Sequence, residues 1–174
     1  GSDALTTPGR QIVGGEDFIT FNTLSDVFLL NPGAFGVNEI LFANEEVDNL
    51  PPTGVNTIVL RSFPVPLAAG TAAGLIAGQV TTPGPGFFIY FNSGLDLPRL
   101  VYSTDLSDET ADLKILFRLT NLTGQGGRDA MSTFTADNFA LTPEPSSFVL
   151  LVTGGLLLGG SSLFRRRQQR KMRG

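Results

Sequence analysis

Carboxylates are the side chains of this sequence that come in clusters able to do acid–base chemistry: Glu16-Asp17, Glu45-Glu46 with Asp48, and Asp105, Asp108, Glu109 and Asp112. Two such groups held about 5–10 Å apart in a cleft can cleave a glycosidic bond. His and Cys are both absent. That removes the usual general base near neutral pH, thiolate nucleophiles, thiolate metal ligands and disulfides. Acidic residues grouped in polar loops are ordinary in solvated turns, so the chain is expected not to be an enzyme. The run Asp105–Asp112 offers oxygens to calcium, with Asp105, Asp108 and Asp112 as candidate ligands. It lacks the central Gly and the spacing of an EF-hand loop. A capped turn between strands is the expectation there, with no metal and no cofactor.

Other motifs read as structural. Gly124-Gln125-Gly126-Gly127 is taken as a turn rather than a nucleotide loop, because no helical pattern follows it. Asn121-Leu122-Thr123 fits a glycosylation sequon but is assigned no role. Tyr90 and Tyr102 could stack on sugars, although aromatics in strands usually belong to a core. Phe18–Asn22 and Phe88–Asn92 read FITFN and FIYFN, an echo too short and too poorly flanked to mark a duplication.

The elements that must position these residues are strand-like from Ile12 to Leu141. Short runs rich in Val, Ile, Phe, Tyr and Thr recur at Phe18–Phe21, Asp26–Leu30, Glu39–Ala43, Thr57–Phe63, Gly86–Asn92, Arg99–Thr104, Asp112–Asn121 and Ser132–Leu141. The clearest alternation puts Leu113, Ile115, Phe117 and Leu119 on one face of a strand. Gly- and Pro-containing turn signals separate the runs. The best helical candidate is Ala68–Gly78, whose three glycines each cost about 1 kcal/mol relative to Ala. An edge strand or a loop is equally admissible there. Eight strand-like runs point to an all-β domain, an antiparallel two-layer β-sandwich of jelly-roll or Ig-like type over residues 1–141.

Charge is segregated along the chain. Arg165, Arg166, Arg167, Arg170, Lys171 and Arg173 are half of its 12 cations, whereas all 16 acidic residues precede Phe164. An acidic body does not suit a nucleic-acid partner, because affinity for phosphates depends on Lys and Arg releasing counterions. Residues Phe148–Phe164 carry no charge. At 1.5 Å per residue those 17 residues would form a helix of about 25 Å, just short of a hydrocarbon core of about 30 Å. The run has no polar face, which argues against a core helix in a domain this small. The expectation is a single C-terminal transmembrane helix over 148–164, joined by a linker over 142–147 and followed by a basic cytoplasmic tail over 165–174. The cations hold the C-terminus inside and leave the acidic domain outside. Gly155–Gly159 matches the small-xxx-small pattern of membrane helix pairs, a weak sign in so glycine-rich a run.

Thr142-Pro143-Glu144-Pro145-Ser146, a single apolar span and Arg165-Arg166-Arg167 near the C-terminus together resemble the PEP-CTERM sorting signal of Gram-negative bacteria that make exopolysaccharide and biofilm. The resemblance covers the last 33 residues or so, and departs at Thr142, where family members often have an apolar residue. It implies export by the Sec route with a leader that these residues do not contain. It also implies an exosortase that handles the Pro143-Glu144-Pro145 motif, Phe148 and Phe164 as boundaries of the span, and Arg165–Arg167 as the basic stop. The expected partners are the exosortase, the lipid bilayer and an exopolysaccharide. The expected location is the cell membrane, single-pass, then the envelope or the extracellular matrix after processing. The function read from this is a structural or adhesive envelope protein. The alternatives are a carbohydrate- or calcium-dependent binding module and a secreted glycosidase.

Overall fold

The computed structural model describes residues 12–13, 16–61, 66 and 68–142. The chain divides after Thr142 into two units, of which the second, 143–174, lies outside the described residues. The strands are β1 (Ile12–Val13), β2 (Asp17–Ile19), β3 (Phe28–Leu30), β4 (Phe42–Glu45), β5 (Thr57–Leu60), β6 (Gly86–Asn92), β7 (Leu97–Ser103), β8 (Leu113–Leu119) and β9 (Phe139–Leu141). The α-helices are α1 (Pro32–Phe35), α2 (Ala69–Ala77) and α3 (Gly124–Ala130).

Seven strands form one mixed sheet in the order β1–β8–β7–β6–β5–β4, with β2 following β1 along the same outer side of β8. Pairing is parallel between β4 and β5, between β5 and β6, and between β8 and both β1 and β2. It is antiparallel on both sides of β7. β3 and β9 form a separate parallel ribbon. The domain is therefore not the antiparallel β-sandwich expected from the sequence. Parallel neighbours need a crossover of a dozen residues or so, usually a helix. The connection over 61–85 is long enough for one and contains α2; 46–56 is a shorter crossover with a 3-10 turn at Val47–Asn49. No helix among the described residues is long and apolar enough to cross a membrane. The span expected over 148–164 lies outside them.

Two cores flank the sheet. On one side α2 lays Ala69, Ala72, Ala73 and Ile76 against Ile58, Leu60, Phe88, Tyr90 and Val101. The spacing i, i+3, i+4, i+7 is the buried stripe of an amphipathic helix, and the small residues let it sit close to the strands. On the other side the ribbon, Val37, Met131 and Phe134 cover Val59, Phe87, Ile89, Phe91, Leu100 and Leu119. Phe21 and Phe28 stack there with centroids 4.2 Å apart. Asn138, buried, donates to the carbonyls of Thr23 and Asp26 at 2.9 Å each and so ties the approach to β3 to the start of β9. Every residue of β5 and β6 is buried.

β8 does not keep one apolar face. Val101 pairs with Ile115 but Leu100 pairs with Phe117, so Leu116 is an extra residue in the ladder. This bulge turns Leu113 and Ile115 toward α2 and Phe117 and Leu119 toward the ribbon. The predicted four-residue face is thus split between the two cores.

Two outcomes follow from this packing. A Cβ at Gly86 would lie 2.5 Å from the Asn56 carbonyl and 2.4 Å from Leu106 Cδ1. Gly86→Ala is expected to cost about 1–3 kcal/mol in urea unfolding, since the nearest backbone cannot yield. The Tyr102 hydroxyl donates to the Phe35 carbonyl at 3.0 Å, and burial raises its pKa above 10. The folded state favours the neutral phenol, so this contribution is complete below pH 10 and is lost as pH rises through the folded value. Tyr102→Phe should lose about 1 kcal/mol at pH 8 yet show a shallower fall in urea midpoint between pH 9 and 11 than the wild type.

Candidate functional site

The carboxyl ends of the parallel strands β4, β5 and β6 converge on a cleft of about 270 Å³. Its wall is built in order along the chain: Glu46 just beyond β4, Leu60 and Arg61 at the end of β5, Pro66, Phe91 near the end of β6, Arg128 and Asp129 from α3, then Met131 and Ser132. Open α/β sheets commonly place ligands outside the carboxyl ends of their strands. The volume is just under the usual range for small-molecule clefts.

Two guanidinium groups dominate the site, and neither is held tightly. Arg61 approaches Glu45 at 3.5 Å and donates to the Asn44 carbonyl at 3.1 Å. Arg128 approaches Asp96 at 3.7 Å and lies over the Phe91 ring, 5.1 Å from its centroid. Pairs this long and this exposed contribute little to stability. Arg61 Nε and Asn44 Oδ1 are buried without a hydrogen-bond partner among the described residues, which leaves donor and acceptor capacity beside the cleft. The Asn44 amide nitrogen is committed, donating to the carbonyls of Met131 and Phe134 at 2.9 Å each.

Glu46 and Asp129 add acceptors, and Gln125 donates to Asp129 at 2.7 Å. Both carboxylates are solvent-exposed. The arrangement suits binding of a small polar molecule against the apolar surface of Leu60, Phe91 and Met131.

A second set of charges is buried. Glu16 bridges Arg99, at 3.0 Å, and Arg118, which donates to it from Nε. Arg99 has no solvent exposure and the Glu16 side chain is 9% exposed. The bridge fastens the chain at the start of β2 to β7 and β8, a clamp within the fold.

The other residues singled out from the sequence fall as follows. Asp105 Oδ1 accepts from Gly84 N, Ser107 N and Ser107 Oγ at 3.2, 2.9 and 2.8 Å. Asp108 Oδ1 accepts from Thr110 N and Oγ1, each at 2.7 Å. The Asp112 carbonyl accepts from Thr104 N at 3.1 Å. These contacts cap the β7–β8 turn, and among the described residues no group of three or more His, Cys, Asp or Glu could hold a metal ion. Tyr90 is fully buried, and Tyr102 packs against Phe35 and Phe87. Asn121 pairs through its side chain with both backbone groups of Phe21. Asn22 and Asn92, which end the two echoed pentapeptides, each accept from the backbone two residues on. The match is one of local turn chemistry, since one pentapeptide begins at a sheet edge and the other at its centre. Pro143, Glu144, Pro145, Phe148, Phe164, Arg165, Arg166 and Arg167 lie outside the described residues.

Sequence reading missed Arg61, Arg128, Asp129 and Ser132. Arg61 follows directly on the buried strand Thr57–Leu60, the one signal that pointed to it. Arg128 and Asp129 sit on α3, which begins at Gly124 in the stretch expected to be a turn. No protein-family model matches this chain, no curated protein is similar to it, and no solved structure is either.

The buried clamp generates a test. Glu16→Gln removes the charge between two arginines, one of them fully buried, and is expected to cost about 3–5 kcal/mol in urea denaturation. Arg118→Gln should cost less, because a quarter of that side chain already reaches water.

Proposed function

We propose that this is an exported cell-envelope or extracellular-matrix protein, structural or adhesive in role, delivered by its C-terminal segment and processed there by an exosortase. One observation carries the reading: the fixed order of Pro143-Glu144-Pro145, an uncharged run over Phe148–Phe164 and Arg165-Arg166-Arg167, behind a body that holds every acidic residue except Glu144. Two prolines around Glu144 favour an extended chain with two backbone donors removed, a stiff strand for an enzyme at the membrane surface to grip. The uncharged run suits a lipid core, and the arginines suit the cytoplasmic face. The position of the domain boundary supports the reading, because the first compact unit ends at Thr142, one residue before the motif.

The cleft favours a second reading, a binding module on the same anchor. Loosely paired guanidinium groups, exposed carboxylates and an apolar wall suit a small polar ligand such as a sugar. The calcium-dependent version draws no support from the acidic run, where Asp105 and Asp108 accept hydrogen bonds within their own turn.

The test is the intact mass of the protein recovered from cells that carry the matching exosortase. Loss of the residues beyond the Pro-Glu-Pro motif is expected, and Glu144→Ala should leave the full-length mass in the membrane fraction. Full-length protein in the cytosol would overturn the proposal.

A further inference from the structure

Among the described residues, five large apolar side chains are exposed: Phe18, Leu24, Val27, Leu29 and Leu95. Three of them, Leu24, Val27 and Leu29, fall within six residues of chain leading into and along β3. In this ribbon Phe28 and Leu30 point into the core, so Val27 and Leu29 share the outer face by the period of two. Val27 is 45% and Leu29 67% exposed. Leu29 sits opposite the half-buried Ala140 of β9. Beside this face opens a groove of about 290 Å³, lined by Leu29, Phe35, Leu116 and Phe117, with Lys114 and Asp17 as its charged members. Phe18 does not belong to the patch, because it is stacked under the Arg118 guanidinium.

The patch lies where the chain leaves the domain. β3 and β9 run parallel and end together, and Thr142 N donates to the Leu30 carbonyl at 2.8 Å. From Thr142 to Phe148 the chain reaches roughly 20 Å at most when fully extended. If Phe148 stands at a membrane boundary, the ribbon's end is held within that distance of the lipid. A short tether gives an effective concentration in the millimolar range, so a weak contact suffices to be occupied.

We infer that the outer face of the β3–β9 ribbon, Val27 and Leu29 with the adjoining groove, rests on the surface of the membrane in which the C-terminal segment is held. This rests on the membrane-anchored reading above. The apolar side chains enter the boundary between headgroups and acyl chains, and exposed Lys114 meets lipid phosphate. The nearby Asp26 carboxylate accepts from the backbone N–H of Asn22, at 2.9 Å, and from Ser25 Oγ, at 3.0 Å.

The chain has no Trp, so Leu29→Trp in the full-length protein creates a unique reporter at an exposed position. The protein is reconstituted in phosphatidylcholine–phosphatidylethanolamine vesicles, with resistance to alkaline carbonate as the check that the tail is inserted. A blue-shifted emission that is lost when brominated lipids replace the ordinary ones is the expected result. Water-like, unquenched emission from carbonate-resistant protein overturns this inference and leaves the anchor standing. A blue shift that bromolipid does not quench and that disappears at low protein-to-lipid ratio also overturns it, since a second copy then covers the patch. Extraction by carbonate overturns the anchor first, and the docking with it.

Discussion

The condition on which the rest of this structure depends is the burial of β5 and β6 on both faces. From Thr57 to Leu60 and from Gly86 to Asn92 every residue is buried. Backbone groups in such a position must be satisfied within the ladder, and each face needs its own apolar cover. α2 supplies one cover, and the β3–β9 ribbon with Met131 and Phe134 supplies the other. Parallel pairing of β4, β5 and β6 follows from crossovers that pass over one face. Parallel pairing in turn brings three carboxyl ends to one edge, where the cleft lies.

Burial on both faces also explains which parts of the fold were legible in the sequence. The run Gly86–Asn92 is continuous in apolar residues, and as a strand its bounds are those the sequence indicates. Its pairing was not legible, because a continuous apolar strand is a sign of a parallel sheet but also of a sandwich core. The stripe Ala69, Ala72, Ala73 and Ile76 was available as evidence for a crossover helix. It was masked by Gly70, Gly74 and Gly78, which cost helix propensity but matter less where tertiary packing holds the helix. The bulge at Leu116 leaves no mark in the alternation of β8, since it arises from pairing with β7. Ser132–Leu141 reads as one strand, yet 3-10 turns occupy Met131–Thr133 and Ala136–Asn138 and leave Phe139–Leu141 to pair. The hydrogen bonds of Asn138 to Thr23 and Asp26, more than a hundred residues away, decide that outcome.

The same contrast between local and distant partners separates the two sets of charges. Glu16 and Arg99 are far apart in sequence, and their pairing deep in the fold is a matter of topology that no spacing rule predicts. Removing one partner of such a cluster strands a charge in low dielectric, which is why the clamp constrains the edge of the sheet. Arg61 and Arg128 carry the same chemistry at the surface with long, screened contacts, so they remain available to a ligand. Residue type alone does not distinguish a structural arginine from a binding one; burial and the closeness of the carboxylate do.

The ribbon connects these arguments to the tail. β9 is the last strand of the domain, it pairs with β3 along its whole length, and the final pair is extended by the bond from Thr142 to Leu30. Its inner residue Phe139 meets Phe28, with ring centroids 5.5 Å apart, so the strand is fixed by packing as well as by its ladder. Ladder and rings together seat β9 in the second core, so a strain applied at Thr142 meets a strand held on two counts.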